Sequence, residues 1–201
     1  MINLNDSAFD AKEGAAIFNN GVAGIVDNVT LGVVKRKPED KENSPEYKLT
    51  FTDANGGSCN TSFWYVEKDT QYATVADQIK KQGTVLKHVI HAIYGADYQL
   101  PNFNSAKEML DGCMKLIRDG IASGLKFRIF ANYGSTQSIK SYIQPRSWVP
   151  FIESMSVSIT ETRLKQGNID AMARIEKDNV GGTTSPSATA MADSIIEGDD
   201  W

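Results

Sequence analysis

Cysteine is scarce in this chain: Cys59 and Cys113 are the only two among 201 residues. Two isolated thiols set up neither a disulfide framework nor a zinc pattern. Without a secretory signal they read as reduced, structural cysteines in a cytosolic setting. The N-terminus, Met1 to Asp10, lacks the basic segment and apolar stretch of such a signal. No apolar run approaches the ~20 residues that cross a bilayer, so no membrane partner is expected. Catalytic signatures are missing as well. There is no G-x-x-x-x-G-K-[ST] loop and no G-x-S-x-G elbow, and Gly21, Gly24 and Gly32 do not space as G-x-G-x-x-G. His88 and His91 stand at i, i+3 on an expected helix, a spacing that can chelate a metal. With only Asp77 and Asp97 nearby, and no zinc or hydrolase pattern, they read as surface or boundary histidines. A metal-dependent nuclease would have to rest on those two residues alone. No enzyme, cofactor or metal is expected, and no internal repeat is found.

A net positive charge is also lacking. The chain carries −4, which at first argues against a nucleic-acid partner. The distribution changes that reading. Residues 168–201 hold seven acids and two bases, a charge of −5, whereas the rest holds 18 acids and 19 bases, a charge of +1. The acidity belongs to the tail, and asymmetry of this kind points to an acidic interaction segment.

The body is long enough for one domain with its own core, at 41% hydrophobic residues. Residues 1–20 are weakly patterned and are expected to form an extended arm. From Gly21 the pattern turns β-like: one long strand runs to Val34, bent or bulged near its glycines, and ends in Lys35-Arg36-Lys37. Tyr47, Leu49 and Phe51 alternate with Lys48, Thr50 and Thr52 in a second strand. Asp53-Ala54-Asn55-Gly56-Gly57 has the chemistry of a hairpin turn, and Ser58 to Glu67 reads as the third strand. Helical spacing follows. Thr74 with Asp77 opens one helix, which Gly83 is expected to interrupt, and Ser105 with Glu108 opens another that stops at Gly124. Strands return at Leu125–Asn132 and Ile139–Gln144, with Pro145 ending the latter or placing it at an edge. Ser154 to Arg163 fits a last strand or a short helix. After about Gly167 hydrophobic density falls, and 181–189 has linker composition.

Single strands are bound by a basic groove with aromatic side chains on which bases stack. Lys126, Arg128 and Phe130 share one face by period-two geometry, while Leu125, Phe127 and Ile129 face a core. Lys140 and Tyr142 repeat the arrangement on the next strand. Together they form a candidate strip for a nucleic-acid backbone and its bases; the alternative is a solvated face with a few exposed aromatics. Trp64 is a further stacking candidate if Phe63 and Tyr65 are the core pair, and packs inward otherwise. Lys35, Arg36, Lys37 and Lys48 are candidates for phosphate. Arg146 extends the groove, and Trp148 either joins it or closes the bottom of a barrel.

Three strands, a helical segment and two strands, followed by a linker and an acidic end with an aromatic residue, resemble the single-stranded DNA-binding proteins of bacteriophages and bacteria. The end is Asp193-Ser-Ile-Ile-Glu-Gly-Asp-Asp-Trp201, with Trp where the family commonly has Phe. The resemblance is one of architecture and tail; no diagnostic motif lies in the body. It implies an oligonucleotide-binding (OB) five-stranded Greek-key barrel over 21–167, mainly β with a helical insertion. The insertion, roughly 73–122, is about twice the single helix usual there. It further implies sequence-tolerant binding of single-stranded DNA in replication or recombination, in the cytoplasm of a host cell if the chain is viral. The tail, 168–201, would recruit replication or recombination proteins through Asp193, Ile195, Ile196, Glu197, Asp199, Asp200 and Trp201, and would compete with DNA for the groove. A second copy of the chain is a further possible partner. The rival reading is a virion structural or adaptor protein whose β-domain never meets DNA.

Overall fold

The computed structural model describes residues 16–133, 143–145 and 150–164. Six strands and two helices follow in the order β1 (Gly24–Lys35), β2 (Tyr47–Thr52), β3 (Ser58–Phe63), α1 (Val75–Tyr94), α2 (Ala106–Ile121), β4 (Phe127–Tyr133), β5 (Ile143–Pro145) and β6 (Ile152–Ser154). The named strands pair antiparallel, in the order β3-β2-β1-β4-β5. β1 takes one edge of β4, and β5 and β6 share the other, β6 against Phe127–Ile129 and β5 against Ala131–Tyr133. β5 comes within 8 Å of β3, Cα to Cα. No ladder joins them among the described residues, so the sheet stays open there instead of closing as the expected five-stranded barrel. The three residues of β5, ending in a proline with no N–H to donate, offer little to pair with. The architecture is α+β: one antiparallel sheet with two helices set between its third and fourth strands.

The bend in β1 is at Asp27-Asn28 and not at the glycines. Gly24 and Val26 face inward on even numbers, Val29 and Leu31 on odd ones, and the register against β4 slips between Val26 and Val29. An extra residue in one strand resets the alternation in this way. Asn28 takes it up with φ 60°, a left-handed conformation that asparagine tolerates better than most residues. The bend lets one strand pair with β2 through its second half and with β4 through its first.

Alternation fills the core as the sequence predicts on β2, where Tyr47, Leu49 and Phe51 are buried, and on β3 through Cys59 and Phe63. Phe127, Ile129 and Ala131 come from β4, and Val85, Leu86, Val89 and Ile90 from α1. Leu110, Cys113, Met114 and Ile117 come from α2. Both helix starts are capped as expected, by Thr74 Oγ1 accepting from Asp77 N–H and Ser105 Oγ accepting from Glu108 N–H. Gly83 does not break α1. It faces Met109 on α2, and the helix runs through it despite the ~1 kcal/mol that a helical glycine costs. Gly120 of α2 packs against α1 where no side chain fits: a Cβ there would sit 2.3 Å from Ile93 Cγ2. α2 is tied to the sheet by a shared acceptor. Tyr47 and Tyr65 hydroxyls both donate to Asp111 Oδ1, at 2.6 and 2.9 Å. Burial first, then those bonds, holds both phenols above their usual pKa.

The expected N-terminal arm is built into the fold at its end. Ile17 bridges Ser58, Phe18 is buried, and Asn19 N–H donates to Asp53 Oδ2 at 2.7 Å. Ser154 to Arg163 is neither the full strand nor the helix the sequence left open. Its first residue ends β6, and turns follow. Cys59 and Cys113 are free and buried, and burial pushes their thiols up to about 12 and about 11. No described helix is long and apolar enough to cross a membrane.

Candidate nucleic-acid interface

The register of β1, β2 and β3 sorts their side chains into two faces. The rows Leu31–Phe51–Cys59, Val33–Leu49–Thr61 and Lys35–Tyr47–Phe63 face the helices. The rows Thr30–Thr52–Ser58, Gly32–Thr50–Asn60 and Val34–Lys48–Ser62 make the opposite face. That second face is built of small polar residues, with Val34 its one aliphatic side chain. Period two carries it past β3 to Trp64, whose side chain is 49% exposed. The Trp64 carbonyl is fixed by Gln82 Nε2 of α1 at 3.2 Å. Gly32 lies at the centre of the face, and a Cβ there would meet nothing nearer than Thr50 O at 3.9 Å. Nothing inside the fold requires glycine at that position. A glycine in a strand interior commonly marks a place where a ligand or another backbone comes close.

The candidate cations divide. Lys48 is exposed on this face and makes no ion pair among the described residues. Arg36 lies just beyond the same row but is engaged, its Nε 3.2 Å from Glu46 and its Nη1 donating to Glu42 O at 3.0 Å. Lys35 points to the other face, with its ammonium 5.4 Å from the Tyr47 ring centre. Lys37 is exposed beside Glu39, and Lys126 is exposed one residue before β4, outside the ladder that carries Lys48 and Trp64.

Arg128 and Phe130 are not on an open face. Arg128 is 5% exposed and Phe130 1%. Arg128 Nε lies 2.6 Å from Asp27 Oδ1, and its Nη1 lies 2.9 Å from Glu153 Oε1 and donates to Val157 O. Its hydrogen bonds to Asp27 and Glu153 raise its pKa, so it stays charged, but its charge is spent inside the protein. On the side of β4 that alternation predicts as solvent-facing, Arg128 is enclosed by Asp27, Glu153 and Val157, while Phe130 N–H donates to Phe151 O along the edge shared with β6. The strip of Lys126, Arg128 and Phe130 therefore does not form. Its other half, Lys140 and Tyr142, lies outside the described residues, as do Arg146, Trp148 and the tail residues Asp193, Ile195, Ile196, Glu197, Asp199, Asp200 and Trp201.

His88 and His91 are half-buried and line a cavity of about 610 Å³ between α1 and the 150–164 segment. His88 meets the Phe151 ring edge-on at 6.0 Å. Burial, then His91 and Lys87, holds its pKa below the usual 6.5. No group of three His, Cys, Asp or Glu among the described residues is placed to hold a metal. One exposed aromatic escapes the alternation argument altogether: Tyr72, in the β3–α1 connection, is 88% exposed. Its only trace in the sequence is a lone aromatic in a polar stretch.

Comparison with protein-family models, with curated proteins and with solved structures finds no match for the chain.

Proposed function

We propose that this protein binds single-stranded DNA with little sequence preference, in replication or recombination, on the polar face of β1, β2 and β3. The observation that carries the reading is that face itself: shallow, hydroxyl-rich, with an unforced glycine at its centre and Lys48 and Trp64 at one end. Small residues let a sugar-phosphate backbone approach the sheet. Trp64 offers a ring for a base, and Lys48 a phosphate contact. Strand order adds support. The sequence β3-β2-β1-β4-β5, with β5 returning close to β3 and the helices between β3 and β4, is compatible with an oligonucleotide-binding arrangement of strands. The acidic segment 193–201 fits recruitment of a partner protein.

Polarisation titration of the full-length protein with labelled oligo-dT tests the reading. Tight binding without cleavage is expected, with Trp64→Ala weakening it by the ~1–3 kcal/mol of one stacked base. On this face Lys48 is the lysine placed to meet a phosphate among the described residues, and one such contact gives a log–log salt slope of about −0.7. Lys140 and Arg146 would steepen it.

The virion structural or adaptor reading is favoured by one observation, the burial of Arg128 and Phe130, which removes two expected DNA contacts. No binding at low salt, with or without residues 193–201, would decide for it.

A further inference from the structure

The β3–α1 connection is ordered in more detail than a linker between a strand and a helix requires. Asp69 Oδ1 accepts from Val75 N–H at 2.6 Å, and Thr70 N–H donates to Ala73 O at 2.9 Å. Thr70 Oγ1 accepts from the N–H groups of both Tyr72 and Ala73. Two glutamines one helical turn apart on α1 complete the frame. Gln78 Nε2 donates to the carbonyls of Lys68 and Ala73, and Gln82 Nε2 to that of Trp64. The loop is thus fastened to α1 at both ends, at anchor points about 6 Å apart along the helix.

What this frame displays is Tyr72. Its backbone is bound on either side, while its ring is 88% exposed and its hydroxyl has no hydrogen-bond partner among the described residues. A lone exposed aromatic on a loose surface segment would call for no explanation. Here the backbone is immobilised beneath a side chain that contributes nothing to the core, and Trp64, the other exposed aromatic of the same connection, is held at its carbonyl by Gln82, one turn along α1 from the Gln78 that holds Lys68 and Ala73. The loop's charge permits a polyanion. Residues 64–81 carry three acids and three lysines. At the start of α1, Asp69 accepts from Val75 N–H and Asp77 from the Thr74 hydroxyl, where the helix dipole favours negative charge. Lys68, Lys80 and Lys81 are exposed.

We propose that Tyr72 is a second base-stacking residue, and that the β3–α1 loop extends the single-strand site beyond the sheet face. This rests on the DNA-binding reading above. Trp64 and Tyr72 stand on one connection whose anchors on α1 are a helical turn apart, and a strand that stacks on Trp64 is proposed to continue onto the Tyr72 ring. Nucleobases are the matching ligand because any base offers a π-face, whereas the loop presents no arrangement of donors and acceptors that would select one.

The test uses the full-length protein, Tyr72→Ala and Tyr72→Phe, titrated with the same labelled oligo-dT, together with photocrosslinking to an oligonucleotide containing 5-iododeoxyuridine. Tyr72→Ala is expected to raise Kd by about 5- to 150-fold, the range for one lost stack. Tyr72→Phe should stay close to the parent, both variants should melt with it, and the crosslink should map to Tyr72. If the parent binds but Tyr72→Ala binds equally well, or crosslinks form only elsewhere, the loop is not part of the site and the sheet-face reading stands without it. If the parent does not bind oligo-dT at all, both fall together.

Discussion

Arg128 shows how far a single side chain can depart from the role its neighbours suggest. It alternates with core residues and sits between a lysine and an aromatic, the pattern of a phosphate contact. Yet its guanidinium joins Asp27 of β1 to Glu153 of β6 at 5% exposure. Removing one partner of a buried pair leaves the other charged in a poor solvent, at a cost of about 3–5 kcal/mol. Arg128→Ala should therefore lose that much stability in a urea titration, and any loss of DNA binding should follow from unfolding. A variant as stable as the parent but weak in binding would return Arg128 to the interface. His88 predicts a pH dependence. Burial disfavours its charged form, so below pH 6.5 the unfolded chain takes up a proton that the folded one resists. Its contribution is intact above pH 6.5 and declines as the pH falls through that value. The drop in Tm between pH 7 and pH 5 should be smaller for His88→Gln than for the parent; equal drops would place the acid sensitivity elsewhere.

Among the elements, most of what the chain encodes locally was legible and most of what depends on distant covering was not. Thr74 and Ser105 announce their helices because a cap is a contact between residues three apart. Tyr47, Leu49 and Phe51 announce β2 because one side of it is core and the other open. Period two on β4 also separates two faces correctly, but it cannot say whether the second meets water. Glu153, 25 residues on, and Asp27, 101 residues back, hold Arg128 inside, and Phe130 is buried as well. The glycines of β1 predict a bend near them, but Asp27-Asn28 makes it. Of the candidate site, Lys48 and Trp64 were legible from alternation. Tyr72 was not, since loops have no period. Gly32 connects these elements to function in a way that can be tested. A side chain there has room, and glycine in a strand interior costs about 0.5–1 kcal/mol relative to alanine. Gly32→Val should consequently leave the protein as stable or slightly more so, while weakening oligo-dT binding by raising a branched side chain from the middle of the face. Undiminished binding by a well-folded Gly32→Val would show that DNA does not lie across these three strands.

At the scale of the whole chain the question is how a protein of net charge −4 would hold a polyanion. The charge is unevenly divided: 168–201 carries −5 and the remainder +1. The segment 193–201 contributes Asp193, Glu197, Asp199 and Asp200, contains no base, and adds Ile195, Ile196 and Trp201. Tethered to the body, such a segment meets the body's cations at an effective concentration that can reach the millimolar range, so even a weak contact lowers the apparent affinity for DNA. Deleting 193–201 should thus tighten oligo-dT binding at low salt. The gain should shrink as ionic strength rises, because repulsion and competition are both screened over about 8 Å at physiological salt. The same deletion removes the acids and apolar side chains that a basic, apolar pocket on a replication or recombination protein would grip, so co-sedimentation with such a partner should be lost. Full-length protein and residues 1–192 are to be compared with one oligonucleotide at low and moderate salt. Equal or weaker binding by the shortened chain at low salt would mean that the acidic segment does not act on the DNA site. That outcome would favour the adaptor reading or a solubilising role for the segment.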